Sequence, residues 1–229
     1  SYNVQIAVDS ANKLIVAHEV TNQGNDHQQL YPMASAAKQS LQVDKLNVVA
    51  DTGYTNGEHA ARCEAAGITP AVPMMAVSNT HGEFFSKAEF TYDHETDTYR
   101  CPAGQALVRI KTDARSRDHV YGTRACDACA LRPQCTGARR RTINRDFFAT
   151  EAEAAARRVQ QQPRMMLERK SVAEHPFGNL KWMMGTPRFL LRTLAGARIE
   201  MNLAITAYNL KRVIQILGVP RLLMEMRAA

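Results

Sequence analysis

The chain has 229 residues, enough for one sizeable domain or a domain carrying a large insertion. A hydrophobic fraction of 45% is too high for a disordered chain, and no apolar run approaches the roughly 20 residues of a membrane span. The opening Ser-Tyr-Asn-Val-Gln has neither the basic nor the apolar part of a secretion signal, so a cytoplasmic protein without membrane contact is expected. The net charge of +7 is unevenly spread: residues 1–137 carry 12 Lys/Arg against 15 Asp/Glu, and residues 138–229 carry 17 against 7. A basic C-terminal part suits a polyanion, because neutralising phosphates releases counterions; a solubilising surface is the other reading.

In chain order, residues 3–8 and 14–20 read as strands joined by the polar turn Asp9-Ser10-Ala11-Asn12-Lys13, an antiparallel hairpin. Asp26, with Gln29 three positions on, has the pattern of a helix start. That helix runs to about Gln42 with Leu30, Met33, Ala34, Ala37 and Leu41 on one face. Residues 46–50 are too short an apolar run for a helix and read as a buried strand that delivers Asp51 at its end. A helix over 57–66 closes at Gly67, and 68–74 reads as an edge strand because two prolines interrupt it. Hairpin, helix, strand, helix and strand predict a mixed α/β sheet with one antiparallel side.

The character changes over 78–142, where short strands at 89–93, 98–101 and 106–110 accompany four clustered cysteines. This stretch is expected to be an insertion with little core of its own. Residues 143–229 are expected to be helical after Arg145, over 152–162, over 165–173 and beyond, and in a last helix. There Ile199, Leu203, Thr206, Leu210, Val213 and Leu217 keep one face until Gly218-Val219-Pro220 ends it.

Asp51, at the C-terminal end of a buried strand, stands where open α/β sheets bind ligands; a plain turn aspartate is the competing reading. Glu174 has Lys170 one helical turn before it and Lys181 seven residues after it, although Pro176 and Gly178 predict a break between. Such a carboxylate is either a surface ion-pair group or a metal ligand beside phosphate-gripping cations. Cys126-x2-Cys129 is half of a usual tetrahedral zinc site, which Cys135 and Cys101 would complete; the alternative is free thiols in a basic loop. Cys63, among helical alanines, is expected to be a core residue.

Several ordered motifs resemble one family: Tyr2-Asn3-Val4-Gln5 with Ala7-Val8-Asp9, Val20-Thr21 with Asp26 and Leu30, Ala50-Asp51-Thr52-Gly53-Tyr54, Glu174-His175-Pro176-Phe177-Gly178 with Lys181, Gly185, Arg188 and Phe189, and Tyr208-Asn209-Leu210-Lys211-Arg212. They look like the bacterial insertion-sequence transposases with a DDE triad, over nearly the whole chain. The resemblance implies a ribonuclease H-like mixed sheet flanked by helices, with the Cys-rich β insertion ahead of the C-terminal helices. The organisation expected on it is a first core part at 1–77, an insertion at 78–142 and a helical core part at 143–229. It further implies two Mg²⁺ (or Mn²⁺) ions that activate water or a DNA 3′-hydroxyl, with transposon ends and target DNA as partners and a homodimer in the synaptic complex.

Position by position, Asp51 matches the second Asp of the triad and Glu174 the Glu. In the signature Tyr-x2-Arg-x3-Glu-x6-Lys, Lys181 fits, Lys170 stands at the Arg position with Arg169 one place off register, and Leu167 or Met166 stands where Tyr belongs. The first Asp is expected on a strand ahead of the hairpin, with Asp9 the only nearby candidate. The chain by itself is therefore expected to be inactive. Arg139, Arg140, Arg141, Arg188, Arg192 and Arg198 are the candidate contacts to the DNA backbone. The alternative function is a zinc-stapled DNA-binding remnant without catalysis.

Overall fold

The computed structural model of the protein describes residues 2–75, 84–184 and 188–228. The expected boundary at 77/78 and the motif residue Gly185 lie outside them. The chain divides into two compact units, one made of Ser1–Met74 with Glu151–Ala229 and the other of Met75–Thr150.

The first unit opens with the expected hairpin, β1 (Asn3–Val8) antiparallel to β2 (Ile15–Thr21). Asp9 folds the turn: its carboxylate accepts the N–H of Ala11 at 3.3 Å and of Asn12 at 2.8 Å. Helix α1 (Leu30–Leu41) starts four residues later than the Asp26 pattern predicts. Asp26 does not cap it, because its carboxylate is taken by side chains of β1. Leu30, Met33, Ala34 and Ala37 are buried as predicted, whereas Leu41 is exposed in the last turn.

β3 (Leu46–Val49) pairs in parallel with β4 (Ile68–Ala71), and between them lies α2 (Gly57–Ala65), capped by Asn56 accepting the His59 N–H at 3.0 Å. Gly67 ends this crossover at φ +72, where an added Cβ would also stand 3.0 Å from the Asp44 carbonyl oxygen. Cys63 is fully buried, as expected, and burial pushes its thiol up to about 12.

The second unit is a five-stranded antiparallel meander: β5 (Thr91–Asp93), β6 (Thr98–Arg100), β7 (Ala106–Asp113), β8 (Asp118–Gly122) and β9 (Thr142–Asp146). A short helix, α3 (Arg132–Cys135), precedes β9. Phe90, Tyr99, Leu107, Tyr121 and Ile143 form a buried cluster, so this unit has the core that the sequence pattern did not predict. Phe90 ahead of β5 and one residue from each of β6, β7, β8 and β9 build it, so each contribution is inconspicuous in the sequence.

The chain then turns helical: α4 (Ala149–Gln161), α5 (Arg164–Met184), α6 (Thr193–Leu217) and α7 (Val219–Ala228). The break expected at Pro176 and Gly178 does not occur. Proline removes the N–H that would bond the Val172 carbonyl, but the Pro176 ring is almost fully buried and the helix runs on through it. The face of α6 is also corrected. Ala197, Met201, Ile205 and Tyr208 are buried, while Ile199, Leu203 and Leu210 are more than half exposed. Both faces are apolar, and the sequence pattern alone does not distinguish them.

Instead of one mixed sheet, the first unit holds two two-stranded sheets, β1–β2 and β3–β4. Three apolar clusters of described residues pack them against helices, the smallest being Ala17 of β2 with Met33 and Ala37 of α1. Of the larger two, one gathers Ile15, Val20, Leu180, Ala197, Met201, Ile205 and Tyr208; the other gathers Leu30, Ala34, Ala50, Cys63, Ile68, Val72 and Ala155. A groove of about 380 Å³ lies between Ile6–Val8 of β1 and Val48–Ala50 beside β3, with α5 along it.

Candidate active site

Asp51 follows β3 and caps a 3-10 turn over Thr52–Tyr54. One carboxylate oxygen accepts the Gly53 N–H at 3.0 Å, and the other accepts Arg169 Nη2 at 2.6 Å. Gly53 is glycine for a spatial reason. A Cβ there would stand 3.0 Å from Asp51 Oδ1 and 3.4 Å from Asp26 Oδ2, so two carboxylates crowd one α-carbon.

Asp26 is the residue that sequence reasoning missed. Its Oδ1 accepts Asn3 Nδ2 and Gln5 Nε2, each at 2.6 Å. Gln5 is buried, and its Oε1 accepts the Tyr54 hydroxyl. Burial raises the Tyr54 phenol, the Asp26 and Asp51 charges raise it further, and Arg169 pulls the other way. Tyr54 therefore remains a hydrogen-bond donor. A signal was present in the sequence: Asn3 and Gln5 share one face of a strand, and buried amides require polar partners.

Glu174 stands apart from this cluster. It is exposed on α5, 4.0 Å from Lys170 Nζ. Five residues separate it from Arg169, which places it about 140° around the helix from the side chain that reaches Asp51. Among the described residues, no three His, Cys, Asp or Glu side chains stand close enough to hold one metal ion. Lys181 is exposed. The neighbour of Glu174, His175, helps to fasten the hairpin turn. Tyr208 donates its hydroxyl to the Lys13 carbonyl at 2.7 Å, so His175 Nδ1, 3.1 Å away, is the donor to Tyr208. Burial, with Lys13 and Arg212 nearby, lowers the His175 pKa and keeps that ring neutral.

In the second unit, Cys101, Cys126, Cys129 and Cys135 line one cavity of about 20 Å³. Burial raises the Cys135 thiol, Arg141 lowers it, and the other three cysteines raise it further. Of the arginines selected as DNA contacts, Arg139 and Arg140 both pair with Asp127, at 3.4 and 2.8 Å. Arg141 donates to the Phe85 carbonyl and lies over the Phe90 ring. In the first unit Arg198 pairs with Glu19 at 2.7 Å, and Arg188 and Arg192 are exposed. No helix among the described residues is long and apolar enough to cross a membrane.

A family model described as a transposase DDE domain matches residues 100–214, which include Glu174, its flanking cations and the four cysteines but not Asp51. No curated protein and no solved structure matches the chain.

Proposed function

Since the chain belongs to the transposase DDE domain family, we propose that Asp51 and Glu174 are two of the carboxylates that hold the divalent ions of a DNA cleavage and strand-transfer site. The observation that carries this reading is Asp51 itself. It lies at the C-terminal end of a parallel strand, it is paired with an arginine from the helix that bears Glu174, and it faces a second carboxylate, Asp26. In the two-metal reaction such ions stabilise the attacking and leaving oxygens of an in-line displacement. Magnesium keeps several waters and takes one or two carboxylates together with phosphate oxygens, which suits this donor set. Arg169, Lys170 and Lys181 would grip the DNA phosphates. At the Lys170 position a lysine supplies charge without the bidentate geometry of arginine.

A ribonuclease H-like core is part of the proposal. It would unite the two small sheets through a strand between β1 and β3, whose edges border the groove. DNA as partner and a homodimeric synaptic complex belong to the same reading.

Among the described residues no three acidic side chains gather around one metal position, so these 229 residues alone are expected to transfer no strand. A supercoiled-plasmid assay in Mg²⁺ or Mn²⁺ tests both parts. Metal-dependent nicking lost in Asp51→Asn would overturn the expected inactivity and uphold the assignment. Nicking indifferent to Asp51→Asn and Glu174→Gln would overturn the assignment. The separation of the two carboxylates favours one second reading, a DNA-binding remnant stapled by zinc; stable DNA binding with no metal-dependent chemistry in any pairing with the rest of a synaptic complex would support it.

A further inference from the structure

The second unit contains a stretch that its own packing does not explain. From Thr123 to Arg141 no residue is buried, yet the chain there makes a 3-10 turn over Arg124–Ala128, the helix α3 and a return to β9. Neither helical turn contributes a residue to the apolar cluster of the sheet, apart from the partly buried Cys135. Leu131, half-buried beside Phe85, Phe90 and Leu107, is the one large apolar side chain this stretch sends toward the sheet, and segments with so few apolar anchors are commonly held by a cross-link or a metal.

What this stretch presents to the sheet is sulfur. Cys101 sits in the turn after β6, where its N–H donates to the Gln105 carbonyl and its carbonyl accepts the Gly104 N–H at 2.8 Å. Cys126 and Cys129 flank a second tight turn, with the Cys129 N–H donating to the Cys126 carbonyl, and Cys135 ends α3. All four line one cavity of about 20 Å³, close to the space of a single water-sized sphere.

The charge around the cavity points the same way. Four thiolates on a divalent ion leave a net charge of about −2, which needs compensation in so small a space. Arg132 and Arg141 line the same cavity. The Nε of Arg141 is buried with no hydrogen-bond partner among the described residues, so it is a donor available to a metal-bound sulfur.

We propose that Cys101, Cys126, Cys129 and Cys135 form a structural zinc site that clamps residues 123–141 onto the five-stranded sheet. Among the described residues no three of these sulfurs stand in ligand geometry. Binding draws them together at the expense of the small cavity and releases the thiol protons, one for each sulfur that becomes a thiolate. The site is closed, with four protein ligands and no position for water or substrate, so it holds structure and performs no chemistry. It is separate from the carboxylates of the first unit and stands whether or not these are catalytic.

Elemental analysis of the whole chain, purified without metal-affinity steps, tests this directly. About one zinc per chain is expected, with X-ray absorption showing four sulfur neighbours at about 2.3 Å. A Cys126→Ser/Cys129→Ser variant should lose at least about tenfold of the bound zinc and gain rapid tryptic cleavage between Arg124 and Arg141, the consequence of unfastening a metal-dependent fold. Should that variant fail to fold, the unsubstituted chain still decides. Zinc below about a tenth of an equivalent after incubation with stoichiometric Zn²⁺, or four thiols that react with a disulfide reagent equally fast with and without zinc, would overturn the site.

Discussion

Protonating His59 would remove a hydrogen bond and bury a charge at once. The ring is buried, and its Nδ1 accepts the Tyr31 N–H at 3.3 Å, so the neutral Nε2–H tautomer is the one that fits. Burial lowers its pKa, Arg62 lowers it further, and Glu58 opposes them. With the folded value below the unfolded one of about 6.5, the unfolded chain binds more protons between the two. The stability is therefore complete above that range and is lost as pH falls through it. His175 is shifted in the same direction and adds to the slope. Melting temperatures taken from pH 8 down to pH 5 should fall, and the fall should be shallower in His59→Gln; superimposable profiles would sink the role given to His59. Asp26 shows how much of such detail is legible beforehand. Its spacing to Gln29 suggested a helix cap, but the amides of Asn3 and Gln5 compete for the same carboxylate and win, because Gln5 is buried and cannot turn to water.

Among the elements, α6 separates pattern from packing. Its predicted face and its packed face are both apolar, offset by about half a turn, and the hairpin β1–β2 together with Leu180 of α5 decides which one is covered. Ile205 is 5% exposed and Leu203 is 68% exposed. Ile205→Ala should cost about 2–4 kcal/mol in chemical denaturation, and Leu203→Ala should stay within about 0.5 kcal/mol. The reverse order would restore the face read from the sequence. The hairpin, α2 with its Gly67 stop and the strand ahead of Asp51 are legible because local signals suffice for each: two apolar runs about a polar turn, a closing glycine, a short apolar run bounded by turn residues. The uninterrupted α5 was not legible, because the burial that offsets Pro176 comes from residues distant in sequence.

For the whole molecule, the excess positive charge of residues 138–229 is partly neutralised internally, since Asp127 holds Arg139 and Arg140 and Glu19 holds Arg198. Exposed pairs of this kind are weak and exchange readily for phosphate. Asp127→Asn should therefore tighten binding to a DNA duplex a few-fold at low salt. Arg139→Gln/Arg140→Gln should weaken it and reduce the slope of log affinity against log salt by about 0.9 for each lost phosphate contact. Fluorescence anisotropy across a salt series measures both, and slopes that do not change would remove these arginines from the interface. Composition leaves a polyanionic partner and a solubilising surface both open, and which arginines remain unengaged depends on acids that folding brings beside them.

The interrupted first unit also sets an order of events on the ribosome. Ile15 shares its cluster with Ile205, and its N–H donates to the side chain of Asn209, 194 residues later. The hairpin must therefore wait, with its apolar face uncovered, until Asn209 has been made, whereas the second unit draws its contacts from one continuous stretch and can close first. During that interval the apolar face of the hairpin stays open to water while the second unit is already closed.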